Sequence, residues 1–265
     1  MRFRVTMNVE GKNREMPINY QYEMMSAIYS VLENADSEYA RMLHDEGYSS
    51  DIKKFKLFCF SNLIVPNRGI ATREVSGKSY TRLIVKSDQV YWYIGFALPE
   101  GMQKFVQGIF SNQQIRIADS LGGVTFRVVE VQLDSEPEGI NGPIECQTLS
   151  PICVSKKVEG KTTVAYISPV EEGYEGALLT GLLERYKALN GKEFDGERYC
   201  KLTVLGNEPK SKLITIKADT AQQTKVKGFT YYFNIELPHE LFKIAYNSGL
   251  GEKCGMGFGM IKVKE

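Results

Sequence analysis

The chain has 265 residues, 43% hydrophobic and 25% charged, which is enough apolar material for one or two packed cores and excludes wholesale disorder. Lys and Arg number 33 against 32 Asp and Glu, so the formal charge of +1 removes any argument for nucleic-acid binding from bulk basicity. The N-terminus is an alternating strand with no apolar signal region, no run approaches 18 apolar residues, and the five cysteines form no C-x-x-C pair; the expectation is a cytoplasmic protein without membrane, disulfide framework or structural zinc.

Arg2 to Val9 alternates with the period of two that predicts a half-buried strand. Tyr22, Met25, Ile28, Tyr29 and Leu32 then recur at three- and four-residue steps, predicting a helix from about Tyr20 to Asn34. Asp36 is placed to cap a second, short helix that Gly47 ends, with His44 in its last turn. KKFKLFCFSNLIV reads as one strand, and TRLIVKSDQVYWYIGFAL as a hairpin turning near Ser87 and Asp88. In that hairpin Tyr91, Trp92 and Tyr93 invite base stacking, but at least Trp92, or else both tyrosines, belongs to the core. A helix over PEGMQKFVQGIFSN and strands around QIRIAD and GVTFRVVEVQL complete a β-α-β-β-α-β order, the pattern of the ferredoxin-like fold.

Residues 134–145, DSEPEGINGPIE, hold two prolines, two glycines and four acids and read as a linker. Beyond them ECQTLSPICVSKK and TTVAYISP suggest a hairpin with a basic tip, EGALLTGLLERYKAL a helix, CKLTVLG, LITIKA and FTYYFNIEL strands, and HELFKIAYNSG a helix before a terminal strand. The expected fold is α+β, with tandem ferredoxin-like (RRM-like) domains at 1–133 and 146–265.

Three features could carry chemistry. From Lys201 to Gly228 six lysines face two acids, a local +4 that makes a candidate phosphate-tracking surface. Gly249, Gly251, Gly255, Gly257 and Gly259 fall within eleven residues between a helix and the last strand. They fit neither a Walker loop nor a dinucleotide fingerprint. Such a loop is either an amide cradle for phosphates or a tight turn that packs helix on strand. The chain has only two histidines, His44 and His239. A histidine ending a short helix is, taken alone, most often a surface residue or a partner of the helix dipole.

The G-x-G-x5-G-F-G loop resembles that of the RAMP superfamily. Together with the A-I-Y helix, the L-H-x-x-G turn and the F-K-L-F strand, it resembles more narrowly the CRISPR precursor-RNA processing endoribonucleases over essentially the whole chain. The resemblance implies cleavage of CRISPR repeat RNA into guide RNAs without metal or cofactor. The substrate's 2′-hydroxyl attacks the adjacent phosphate and leaves a 2′,3′-cyclic phosphate and a 5′-hydroxyl. It implies His44 as general acid/base, Tyr29 as the residue that positions or deprotonates the 2′-hydroxyl, and Lys56 as the cation beside the phosphorane. Lys53 and Lys54 compete with Lys56 for the last role or contact the RNA backbone. Further expected RNA contacts are Arg68 and Arg73, the tip residues Lys156, Lys157 and Lys161, then Lys210, Lys212, Lys225, Lys227 and the five loop glycines. CRISPR effector subunits are further partners that it implies, and homodimers occur in parts of the family. Two other readings stand beside the nuclease: a non-catalytic RNA-binding subunit of the same superfamily, and a ferredoxin-like sensor of a small ligand.

Overall fold

The alternation of Arg2 to Glu10 does produce a strand, β1 (Arg2–Glu10), whose Val5 and Met7 point into a core while Arg4 and Asn8 point away. In the computed structural model, which describes residues 1–51, 53–66, 69–74, 81–137, 142–158, 160, 163–218 and 220–264, this strand is the centre of a five-stranded sheet. It is followed by β2 (Glu15–Pro17), α1 (Gln21–Ala35), α2 (Ser37–Asp45), β3 (Tyr48–Ser49), β4 (Lys54–Phe55), β5 (Phe58–Phe60), β6 (Ile70–Glu74), β7 (Thr81–Val85), β8 (Gln89–Phe96), α3 (Pro99–Ser111), β9 (Gln114–Asp119) and β10 (Gly122–Asp134). The order β5-β8-β1-β10-β9 is the antiparallel ferredoxin-like arrangement with β9 added at one edge. Ile28, Leu32, Trp92, Phe105 and Phe126 fill the space between sheet and helices.

The second half contains β11 (Ile144–Thr148), β12 (Ser155–Lys157), β13 (Val164–Tyr166), α4 (Tyr174–Asn190), β14 (Lys201–Ile216), β15 (Thr224–Glu236), α5 (His239–Ser248) and β16 (Ile261–Val263). Its sheet, β14-β15-β11-β16, repeats the same order around a second core that includes Leu178, Leu182, Phe233 and Phe242. Among the described residues no helix is long and apolar enough to cross a membrane.

Four expectations need correction. KKFKLFCF is two strands, because Leu57 takes a left-handed φ of 54°, so that β4 pairs with β3 while β5 pairs with β8. β7 and β8 flank the expected turn at Ser87 and Asp88 but form no hairpin; β7 lies between β2 and β6 in a separate small sheet. The basic hairpin is formed by β12 and β13, with β11 given to the main sheet. CKLTVLG and LITIKA are one strand, β14, carried past an irregularity between Leu205 and Lys210. Of Tyr91, Trp92 and Tyr93 in β8, Trp92 is core. Tyr93 is buried against Cys59 and, from the other half, Cys254 and Met260, and of the three only Tyr91 keeps partial exposure.

Candidate active site

The site begins at the end of α2. The Asp36 carboxylate accepts from the Tyr39 amide at 2.9 Å and holds the Lys104 ammonium at 2.7 Å, which fixes the start of the helix. Two turns later His44 emerges with its ring 63% exposed. Its Nδ1 lies 2.8 Å from Oδ1 of Asp45, leaving Nε2 as the nitrogen open to a ligand. The histidine contact pulls the Asp45 carboxyl below its ordinary range, with Lys56 and Arg41 adding to the effect.

From α1, Tyr29 brings its ring edge-on to His44, with centroids 5.0 Å apart, and rests on Phe58 at 5.9 Å. Burial, and then the charge of Asp45, raises the pKa of this phenol far above its usual value. The group is therefore a neutral hydrogen-bond donor throughout the physiological range.

Lys56 follows β4. Its Nζ donates to the carbonyl of Leu43 at 2.6 Å and to that of His44, two of the carbonyls a helix leaves unpaired at its C-terminus. Burial lowers its pKa, opposed by Asp45. Of the three protons on an ammonium, two are thus used to hold the backbone of His44. Lys53 and Lys54 are exposed beside it, and among the described residues neither enters an ion pair.

All five side chains, Tyr29, His44, Lys53, Lys54 and Lys56, line one cleft of about 610 Å³ whose opposite wall comes from the second half of the chain. That wall is the glycine-rich loop. Arg185 of α4, almost fully buried, donates to the carbonyls of Gly249 and Gly251 and approaches Sγ of Cys254 at 3.3 Å. Gly257 lies so close to the first half that a Cβ there would stand 2.9 Å from the Phe60 ring and 3.0 Å from Gln21. Gly249, Gly257 and Gly259 are buried packing positions, whereas Gly251 and Gly255 line the cleft. Gly251 is also a packing position, since a Cβ there would stand 2.5 Å from the carbonyl oxygen of Cys153.

The expected backbone contacts are scattered. Lys156 and Lys157 are exposed on β12, away from the cleft. Side chains alternate along a strand, so Lys210 and Lys212 share the face of the buried Ile214, whereas Lys225 and Lys227 share the face of the exposed Leu213 through the pairs Thr215–Lys225 and Leu213–Lys227. Lys201 is paired with Glu236 at 3.3 Å. Of the six-lysine cluster only Lys217, at the hairpin end, reaches the cleft. Arg73 is held by Glu15 at 2.6 Å, and Arg68 and Lys161 lie outside the described residues. Sequence reasoning missed Arg185 and Tyr22 as cleft residues and Asp45 as the partner of His44. Arg185 left a signal: it falls on the apolar stripe of its helix, three residues after Leu182 and seven after Leu178.

Comparison with known proteins bears on the chain as a whole. The model of the N-terminal part of the CRISPR-associated protein Cas6 matches residues 15–132, and that of the C-terminal part matches residues 134–263. The CRISPR-associated endoribonuclease Cas6 of Pyrococcus furiosus is 28% identical over 266 residues, covering 100% of this chain and 90% of its own. A CRISPR-associated endoribonuclease Cas6 of Methanocaldococcus jannaschii is 29% identical over 254 residues, 93% of this chain and 86% of its own. Among solved structures, a Cas6-related protein from Pyrococcus furiosus superposes with a TM-score of 0.80 at 24% identity, over 100% of this chain and 98% of its own, a likeness of fold.

Proposed function

We propose, since the chain belongs to the Cas6 family of CRISPR-associated proteins, that it is an endoribonuclease that cuts CRISPR repeat RNA into guide RNAs by metal-independent attack of the 2′-hydroxyl. The observation that supports this most is the meeting of His44, Tyr29 and three lysines on one cleft. Transesterification needs a proton carrier, a donor that orients the nucleophile, and positive charge beside the phosphorane. His44 is the proton carrier through Nε2, its ring oriented by Asp45 in the way a carboxylate orients a catalytic imidazole. Tyr29, kept protonated by burial, donates to the 2′-oxygen instead of deprotonating it.

The cation is divided between lysines. Lys56 fixes the helix end that carries His44 and keeps one proton for the phosphate, while Lys53 and Lys54 supply the mobile charge. The same proposal divides the chain into a domain at 1–133 that carries the reacting groups and one at 146–265 that carries the opposing loop, joined by 134–145.

The test is a single-turnover reaction on labelled repeat RNA in excess EDTA, beside RNA with a 2′-deoxy substitution at the cut. Cleavage should survive chelation, stop with the 2′-deoxy RNA, and fall on the order of 10² to 10⁴-fold in His44→Ala with RNA affinity kept. Replacing Lys53 and Lys54 together should slow cutting without a change in Tm, whereas Lys56→Met should lower both. Tight binding of repeat RNA without cutting would overturn the enzyme in favour of an RNA-binding subunit.

A further inference from the structure

The cleft extends beyond the reacting groups. Helix α1 sends Tyr22, Met25 and Tyr29 into it at steps of three and four residues, which places them on one face. At a rise of about 1.5 Å per residue, Tyr22 stands roughly 10 Å along the axis from Tyr29. Tyr22 and Met256 are half-buried and pack together against the cluster of Ile214, Ile216 and Phe258, so this end of the cleft has an apolar, partly aromatic floor.

Its rim is cationic. Lys217 holds its ammonium 5.7 Å from the centroid of the Tyr22 ring and also donates to the Gln222 side chain. Lys253, exposed and in a left-handed conformation with φ of 56°, stands on the same rim. The acid at this end, Glu252, is already engaged: its carboxylate accepts from the amide and hydroxyl of Ser155 at 2.9 to 3.1 Å. An apolar aromatic floor under a rim of lysines matches the chemistry of a single-stranded nucleotide, whose base seeks a flat apolar surface while its phosphate seeks charge.

We propose that Tyr22, Met25, Met256 and Lys217 form a pocket for one unpaired base of the RNA, separate from the groups that cut it. The pocket rests on the reading of the His44 end as the cleavage site. The roughly 10 Å between Tyr22 and Tyr29 corresponds to about three stacked nucleotides at about 3.4 Å each, which places the base within three nucleotides of the scissile phosphate. It gives the protein a means of selecting RNA that is unpaired beside the cut, and of selecting the base that fits.

The test uses repeat RNA made uncleavable by the 2′-deoxy substitution, so that affinity is read whether or not the protein cuts. The EDTA reaction above decides cutting separately. An abasic site is placed in turn at each of the three nucleotides on either side of the cut. Binding is measured for the wild type, Tyr22→Phe and Tyr22→Leu; leucine keeps the packing against Phe258 and gives up the ring. One abasic position should weaken wild-type binding on the order of 10-fold. Tyr22→Leu should lose a similar factor on intact RNA and nothing further on that abasic RNA, and Tyr22→Phe should bind as the wild type does. Equal affinity of Tyr22→Leu and wild type for every RNA would overturn the pocket. So would a loss that multiplies the abasic effect at all six positions, because the tyrosine would then act through the fold and not through a base.

Discussion

At the scale of single residues, the environment of Tyr29 favours one of the two roles proposed for it. A phenol deprotonates near pH 10 in water, and a catalytic tyrosine base needs that value lowered. Burial against Phe58 and the nearby charge of Asp45 move it the other way. Raising the pKa favours the protonated form, so no new base appears as pH climbs from 8 to 10. The Asp45 carboxyl is shifted downward, so it stays charged across the neutral range and adds no titration there. Between about pH 8 and 10 the tyrosine therefore adds no rising limb to the cleavage rate, and that plateau declines only where Lys56, its pKa lowered by burial, gives up its charge. Tyr29→Phe should lower that plateau on the order of 10-fold, the effect of losing one hydrogen bond to a developing charge, with the shape of the profile unchanged. A rate that keeps rising through pH 9 in the wild type and flattens in Tyr29→Phe would restore the tyrosine as the base.

At the scale of elements, the sequence was most legible where a local signal and the final structure coincide. The Asp36 cap, the α2 helix with His44 in its last turn, and the α1 stripe all follow from side chains within a few positions of one another. Legibility failed where pairing partners are distant. The alternation of KKFKLFCF is compatible with one strand, and only the claims of β3 on one end and β8 on the other turn Leu57 into a left-handed break. That break creates the site, since it lets Lys56 turn back to the end of α2. A count of lysines along the chain also leaves out the pleat, which divides the cluster between two faces. Because Lys210 and Lys212 face one way and Lys225 and Lys227 the other, the proposed RNA contact predicts that a single strand meets one pair. Exchange of that pair for glutamine should reduce the slope of log affinity against log salt by about 0.7 per lost contact. Exchange of the other pair should leave the slope unchanged, and equal effects from both pairs would mean that the RNA wraps the hairpin on both faces.

At the scale of the whole molecule, a cleft walled by two halves keeps its geometry only if the halves are held in register. The chain does this with buried cations. Arg185 gathers the glycine-rich loop, and Arg2, with no exposed surface, donates to the carbonyl of Ile261 at 2.7 Å, stands 3.3 Å from Asp134, and lies 3.9 Å over the ring of Tyr246. Arg2 begins the first strand of one half, and both Ile261 and Tyr246 belong to the other, so this guanidinium is a strut between the two sheets. In the sequence it is one polar residue in an alternating strand, indistinguishable from Arg4, which stays partly exposed; only docking of the second sheet separates them. Removing one partner from a fully buried charge pair costs about 3 to 5 kcal/mol, but Asp134 is 20% exposed and makes no hydrogen bond to the Arg2 Nε. Arg2→Ala should therefore lower the stability of the whole chain by less than that amount, chiefly through the lost bond to Ile261 and the contact with Tyr246. It should also reduce cleavage more than RNA binding, because His44 and the loop lie on opposite walls whereas most of the exposed lysines sit on one half or the other. Thermal unfolding followed by circular dichroism, with single-turnover cleavage at a temperature where the variant is fully folded, separates the two effects. A variant that unfolds as the wild type does and cuts at the wild-type rate would mean that the apolar contacts of Tyr93, Cys254 and Met260 hold the halves without the strut.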